Sequence, residues 1–230
     1  MSVLAAHQPQ YLPWLGFFDK LAQADVFVLL DDVQFKKNEW QNRNRIKGPS
    51  GPQWITVPVR HRFPQTVAEV EVSETESWRR KHQRALESNY GKAVYFADEM
   101  PLLAAVLDRP WTLLAPLNVE LIRRLAARLG IDADIRLGSE IEAREHPTLR
   151  LVDLCRKLGA DAYLSGADGD YLDQDLFDEA SIELRFQRYE HPTYTQLHGD
   201  FEPYMSVVDL LMNCGEDSLS IIRSGRLAPS

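Results

Sequence analysis

His7 closes an apolar stretch, Val3 to Ala6, and is followed at once by Gln8-Pro9-Gln10-Tyr11-Leu12-Pro13-Trp14. Histidine titrates near neutral pH, so in a loop it can bind phosphate or act as a general base. The two prolines fix φ and stiffen the segment that would hold it. Tyr11 and Trp14 suit the wall of a pocket for a ring or a sugar face. The plainer alternative is a histidine bonded to a loop carbonyl beside two core aromatics.

Asp31-Asp32 ends a second apolar run, Val26 to Leu30. Neighbours on a strand point to opposite faces, so both carboxylates converge only where the strand has broken into loop. Asp31 is the candidate catalytic partner of His7. It could hold Mg²⁺ with substrate phosphates completing the shell, whereas no His or Cys spacing suggests zinc. The segment 36–45 follows, and it is poor core material. Lys36, Lys37 and Arg43 can hold an anion, with Arg43 able to clamp phosphate or carboxylate through two parallel bonds. Trp40, Gln41, Asn42 and Asn44 can orient a sugar or an amino group. A hairpin whose amides satisfy its own turns is the competing explanation.

Two further clusters carry weaker signals. Trp78, Lys81 and His82 share a helical face by i, i+3, i+4 spacing. Ser165-Gly166-Ala167-Asp168-Gly169-Asp170 stands between a strand and a helix, where small residues let a ligand approach the backbone. It matches neither a P-loop nor a dinucleotide fingerprint. Cys155 lies among Leu151, Leu154 and Leu158 and reads as core, and Cys214 as structural.

Alternating elements must position these residues. Val3–Ala6 reads as a strand, 16–22 as a helix and 26–30 as a strand, which makes a βαβ unit. Turn chemistry at 46–52, then alternation at 54–59, gives a hairpin excursion over 36–72, with a further strand at 67–72. Helices are expected from Ser77 to near Gly91, over 101–107 and over 117–129. Strand 135–137, helix 149–158 capped by Gly159, strand 162–165, helix 171–178 and strand 182–186 restore the alternation. The tail from Tyr204 to Ile222 reads as helical, interrupted at Cys214-Gly215. The pattern specifies an α/β protein with a Rossmann-like, mostly parallel sheet, a β-hairpin excursion and a helical cap. Residues 1–225 form one domain with a helical insertion at 77–130, and 226–230 fray. In such a sheet, ligands bind at the strand carboxyl ends.

Composition narrows the function. The 230 residues carry a net charge of -8, against a general nucleic-acid binder. The local basic cluster of Lys36, Lys37, Arg43, Arg45 and Lys47 fits a small anionic ligand better than a polymer. No apolar run approaches the roughly 20 residues of a membrane span, and no basic, apolar leader opens the chain, so a cytoplasmic location is expected.

Five segments, HQPQYLPWLGFFDK, LDDVQFKKNEWQNRNRIK, WRRKHQ, LGADAYLSG and FEPYMSVVDLLMNCG, occur in order along nearly the whole chain. Together they resemble the WbqC-like family, a bacterial family associated with gene clusters for O-antigen and related surface polysaccharides. The resemblance implies a biosynthetic setting involving modified or amino sugars. It places His7, Gln8, Tyr11, Trp14, Asp31, Lys36, Trp40, Gln41, Asn42, Arg43 and Asn44 at hallmark positions, with Trp78, Lys81, Ser165 and Gly166 carried over on the same terms. A looser likeness joins the first βαβ unit to HUP-type nucleotidyltransferases and pantothenate-synthetase-like ligases. Those use a second histidine at the start of the first helix, where this chain has Leu12-Pro13-Trp14-Leu15-Gly16.

The expected function is transfer of an acyl or aminoacyl group to an amine-bearing small molecule or nucleotide-linked amino sugar, with His7 as base. The substrate would be a small molecule, nucleotide-linked or carrier-bound, and Mg²⁺ would enter with a nucleotide. The alternatives are a HUP-type nucleotidyltransferase or ligase and a non-catalytic sugar-nucleotide-binding partner.

Overall fold

The computed structural model describes residues 1–74, 77–167 and 169–228, with Asp170 described by its backbone alone. β1 (Val3–His7), α1 (Leu15–Leu21) and β2 (Val26–Leu29) form the first βαβ unit. An antiparallel hairpin of β3 (Arg43–Gly48) and β4 (Gly51–Thr56) follows, then a short ribbon of β5 (Val59–Arg60) and β6 (Glu71–Val72). Three helices come next: α2 (Trp78–Tyr90), α3 (Phe96–Leu107) and α4 (Leu114–Arg128). The chain then re-enters the sheet through β7 (Asp134–Leu137), α5 (Pro147–Leu158), β8 (Ala162–Ser165), α6 (Gln174–Glu179) and β9 (Glu183–Phe186). It finishes in α7 (Val207–Cys214) and α8 (Ser218–Ser224).

The main sheet has five strands in the order β7-β2-β1-β8-β9, and every neighbouring pair is parallel. Its apolar residues alternate between two cores, as the period of two demands. Ala5, Phe27, Leu29 and Leu164 face α1, α4 and α7, whereas Leu4, Ala6, Val28 and Tyr163 face α5 and α6. Both faces are therefore covered, which is why the strands read as nearly continuous apolar runs. Winding proceeds from β1 through β2 to β7, then reverses to β8 and β9. The crevice at this reversal lies at the carboxyl ends of β1 and β8, where open α/β sheets bind ligands.

The expected elements occur, with boundary shifts that have local causes. Residues 67–69 form a 3₁₀ turn rather than strand, because Glu69 Oε2 accepts from both the Thr66 N–H (2.8 Å) and its hydroxyl (3.0 Å). α4 begins at Leu114, ahead of Pro116, since first-turn N–H groups have no helical partner and proline loses nothing there. α3 starts at Phe96 and carries Pro101 inside the helix, past its first turn. α6 begins only at Gln174 because Asp173 caps it, accepting from the Asp175 N–H at 3.1 Å. Gly159 ends α5 in the left-handed region, φ 67°. Residues 187–206 contain no helix and no named strand.

Candidate functional site

His7 is the last residue of β1. Its Nδ1 lies 3.0 Å from the Gln8 carbonyl. A carbonyl only accepts, so Nδ1 carries the proton and Nε2 is the basic nitrogen of the neutral ring. Phe17 packs edge-on against the ring at 5.2 Å. Burial first, and the Lys20 charge second, hold the His7 pKa down at about 4.

The loop after His7 is held from four directions. Asn118 Nδ2, on α4, donates to the carbonyls of Pro9 (3.1 Å) and Gln41 (2.8 Å). The Tyr11 N–H donates to the Trp40 carbonyl at 2.9 Å. Asn44 Nδ2, on β3, donates to the carbonyls of Tyr11 (3.2 Å) and Leu12 (2.6 Å), clamping Leu12 at φ 45°. The Tyr11 hydroxyl donates to His82 Nδ1 at 2.8 Å, and His82 Nε2 donates to the Thr56 carbonyl at 3.1 Å. Gln41 joins the two loops, donating to Gln8 Oε1 and accepting from the Lys36 N–H at 2.8 Å.

These loops wall a cavity of about 710 Å³ at the switch point. Of the residues singled out in the sequence, His7, Gln8, Trp14, Lys36, Trp40, Gln41 and Gly166 line it. Trp14 lies so close over Gly16 that a Cβ there would stand 2.2 Å from the indole.

The others stand elsewhere. Tyr11, Asn42 and Asn44 are buried behind the wall, and Asn42 braces the hairpin through the Asn38 N–H and the Val57 carbonyl. Arg43 packs its guanidinium over Trp54, 4.2 Å from the ring centroid, and Lys37 is exposed outside the lining. Asp31 is buried, and its two oxygens accept from the Ser139 N–H (2.9 Å) and hydroxyl (2.7 Å). Asp32 pairs with Arg150. Ser165 is buried beneath Gly166. Trp78 and Lys81 line a separate cavity of about 380 Å³ with Trp54 and His82. Asp168, part of the acidic stretch after β8, lies outside the described residues.

The cavity also recruits further residues, of which the sequence had placed only Arg45 in its local basic cluster. Lys20, on α1, is only 4% exposed, and its Nζ donates to the Ala6 carbonyl at 2.9 Å. It makes no ion pair among the described residues, and burial lowers its pKa to about 8. The adjacent Asp19 is saturated instead by Gln23, Gln187 and Arg226. Arg45 lines the cavity with its guanidinium near Trp40 and Trp54 and donates to the Tyr204 carbonyl at 3.3 Å. Strand alternation puts Arg45 on the face of Arg43, a signal present in the sequence. Gln10, Glu39, Gln187, Tyr189 and Tyr204 complete the polar and aromatic wall.

At the end of β2, Ser139 engages both oxygens of Asp31 and Arg150 one oxygen of Asp32, leaving Asp32 Oδ1 buried without a hydrogen-bond partner. Among the described residues no group of three His, Cys, Asp or Glu is placed to hold a metal ion. No described helix is long and apolar enough to cross a membrane.

Fold and cavity together define a doubly wound, Rossmann-like α/β protein with a cation-lined cavity at its switch point. The chain belongs to the WbqC-like protein family, whose family model matches residues 8–221. It is 40% identical over 228 residues to the "Uncharacterized protein Rv1507c" of Mycobacterium tuberculosis (strain ATCC 25618 / H37Rv), covering 97% of this chain and 98% of that relative. No solved structure matches it significantly.

Proposed function

We propose that the switch-point cavity is the active site of a biosynthetic transferase. It moves an acyl or aminoacyl group to an amine-bearing small molecule or nucleotide-linked amino sugar, in the synthesis of surface polysaccharide or a related metabolite. One observation carries this reading. A neutral histidine with a fixed tautomer stands at the carboxyl end of the central strand, in a cavity whose charged lining is Lys20, Lys36 and Arg45 against Glu39. That set favours an anionic substrate beside a base.

In the proposed step the acceptor nitrogen forms a bond to the acyl carbon, the bond from that carbon to its leaving group breaks, and His7 Nε2 takes the amine proton. The imidazolium then returns that proton to the leaving group. Without ligand, burial and Lys20 keep His7 weakly basic. A substrate anion against Lys20 offsets the second cause and raises the basicity of His7 once substrate is bound. Trp14, Trp40 and Tyr204 offer faces for a base or sugar ring. Lys37, Arg43, Trp78, Lys81 and Ser165 stand outside this cavity, so in this reading any role of theirs is indirect. Asp31 orders the Ser139 turn.

A thermal-shift panel of dTDP- and UDP-sugars and acyl-CoA, set against ATP and CTP with Mg²⁺, finds the ligand class by mass action. With that ligand, His7→Gln should lose about 10²- to 10⁴-fold in turnover with an unchanged melting temperature. Equal turnover would remove His7 from the mechanism. The sheet order also supports a nucleotidyltransferase or ligase, and stabilisation by Mg-ATP or Mg-CTP alone would favour it.

A further inference from the structure

Lys20 is a cation enclosed at the base of the cavity with one backbone carbonyl as its hydrogen-bond partner. Removing an ammonium from water costs several kcal/mol unless an opposite charge or a full set of acceptors replaces the water. No carboxylate among the described residues supplies that charge, and Asp19, next to it in sequence, is turned to Arg226 and Gln187. Other groups in the same wall are also short of partners. The Arg45 Nε–H and the Tyr189 hydroxyl are buried without a hydrogen-bond partner, and so is Gln10 Oε1 on a side chain 6% exposed. Three of these four groups can donate, and Gln10 Oε1 accepts. Ordinary protein interiors satisfy such groups, so a wall that leaves several unsatisfied is built for something that enters it.

We propose that Lys20 is the base of an oxyanion subsite, completed by Arg45 and Tyr189, that receives the phosphate or carboxylate group of the substrate. This rests on the cavity being the functional site but not on the transfer reaction. It also sets the polarity of binding. The anion enters first, beside the Ala6-His7 peptide, leaving the rest of the ligand to lie against Trp14 and Trp40. A cation kept for a ligand costs stability while the cavity lacks one. Lys20→Met, close in volume and neutral, should therefore fold at least as stably as wild type yet bind no anion there.

The test uses inorganic phosphate, pyrophosphate and acetate as probes on the full chain, read by melting temperature and by calorimetry. Wild type should be stabilised, and pyrophosphate exceeding acetate would identify phosphate as the group received, the reverse order carboxylate. Lys20→Met should lose at least about tenfold in affinity, equivalent to about 1.4 kcal/mol, while melting at or above the ligand-free wild type. Lys92→Met, an exposed lysine, should bind as wild type does. Should Lys20→Met fail to fold, Arg45→Met decides, since it alters the outer wall; it should weaken the same anion by a similar factor. Undiminished binding in both folded variants, or no stabilisation of wild type by any probe, overturns the proposal. Anion binding that depends on Lys20 in a protein whose turnover ignores His7 would retain this subsite and reject the transferase.

Discussion

Lys20 and Asp209 are both enclosed charges, and they are treated in opposite ways. Asp209, on α7, is fully buried, yet its carboxylate accepts from the hydroxyls of Tyr90 and Tyr194 and from Gln196, each at 2.8 Å. Tyr90 in turn accepts from the Lys47 N–H at 2.8 Å, so the network sews α7 and the 187–206 stretch to the hairpin. Lys20 has a single carbonyl and a cavity. A saturated buried charge holds a structure together, whereas an unsaturated one beside open space reserves a place for a ligand. The ends of β1 and β2 repeat the contrast. Asp31 is sealed by Ser139 and His7 is left with an open nitrogen, although both stood out equally in the sequence.

The largest test of this contrast removes the saturated charge. Asp209→Ala takes the carboxylate from two buried tyrosine hydroxyls, Tyr90 and Tyr194, and from Gln196, and should cost roughly 3–5 kcal/mol in denaturant unfolding, opposite in sign to Lys20→Met. A loss below about 1 kcal/mol would mean that saturation does not mark structural charges here.

Acid should act next. Burial foremost holds His82 at about 4 against an ordinary 6.5, and His7 shares that direction. Both rings are neutral in the folded protein but take up protons when unfolded. Their stabilisation is therefore complete above pH 6.5, is lost as pH falls from 6.5 toward 4, and changes no further below that. For His82 the loss is of order 3 kcal/mol. Melting temperatures across this window in wild type and His82→Gln would show it; identical slopes would exclude His82 as the source.

A smaller effect is expected at the loop clamp. Asn44→Ala frees the Tyr11 and Leu12 carbonyls and should cost about 1–3 kcal/mol. It should also weaken ligand binding, because the loop carrying Gln8 and Trp14 loses its brace. Unchanged affinity would show that the cavity wall does not need the clamp.

Much of this was legible in the chain. Short apolar runs between turns and helices marked all five sheet strands, and His7 stood out because a histidine ending such a run is unusual core material. Lys20 was not. Its place between Asp19 and Leu21 in an amphipathic helix looks like a solvated face, and only the packing of α1 on the sheet shows that both charges are enclosed. Nor could the sequence reveal that Ser139, 108 residues away, would occupy Asp31. The 187–206 stretch has no periodicity to read because side chains such as Gln196 and Asp209, not a backbone ladder, hold it.

The most direct test is the ¹⁵N spectrum of histidine-labelled protein at neutral pH, with His7→Gln for assignment and pyrophosphate as the added ligand. The account predicts a neutral, Nδ1-protonated His7 whose resonances move on titration while those of His82 stay fixed. A charged or Nε2-protonated His7, or one that ignores a ligand the protein demonstrably binds, would contradict it.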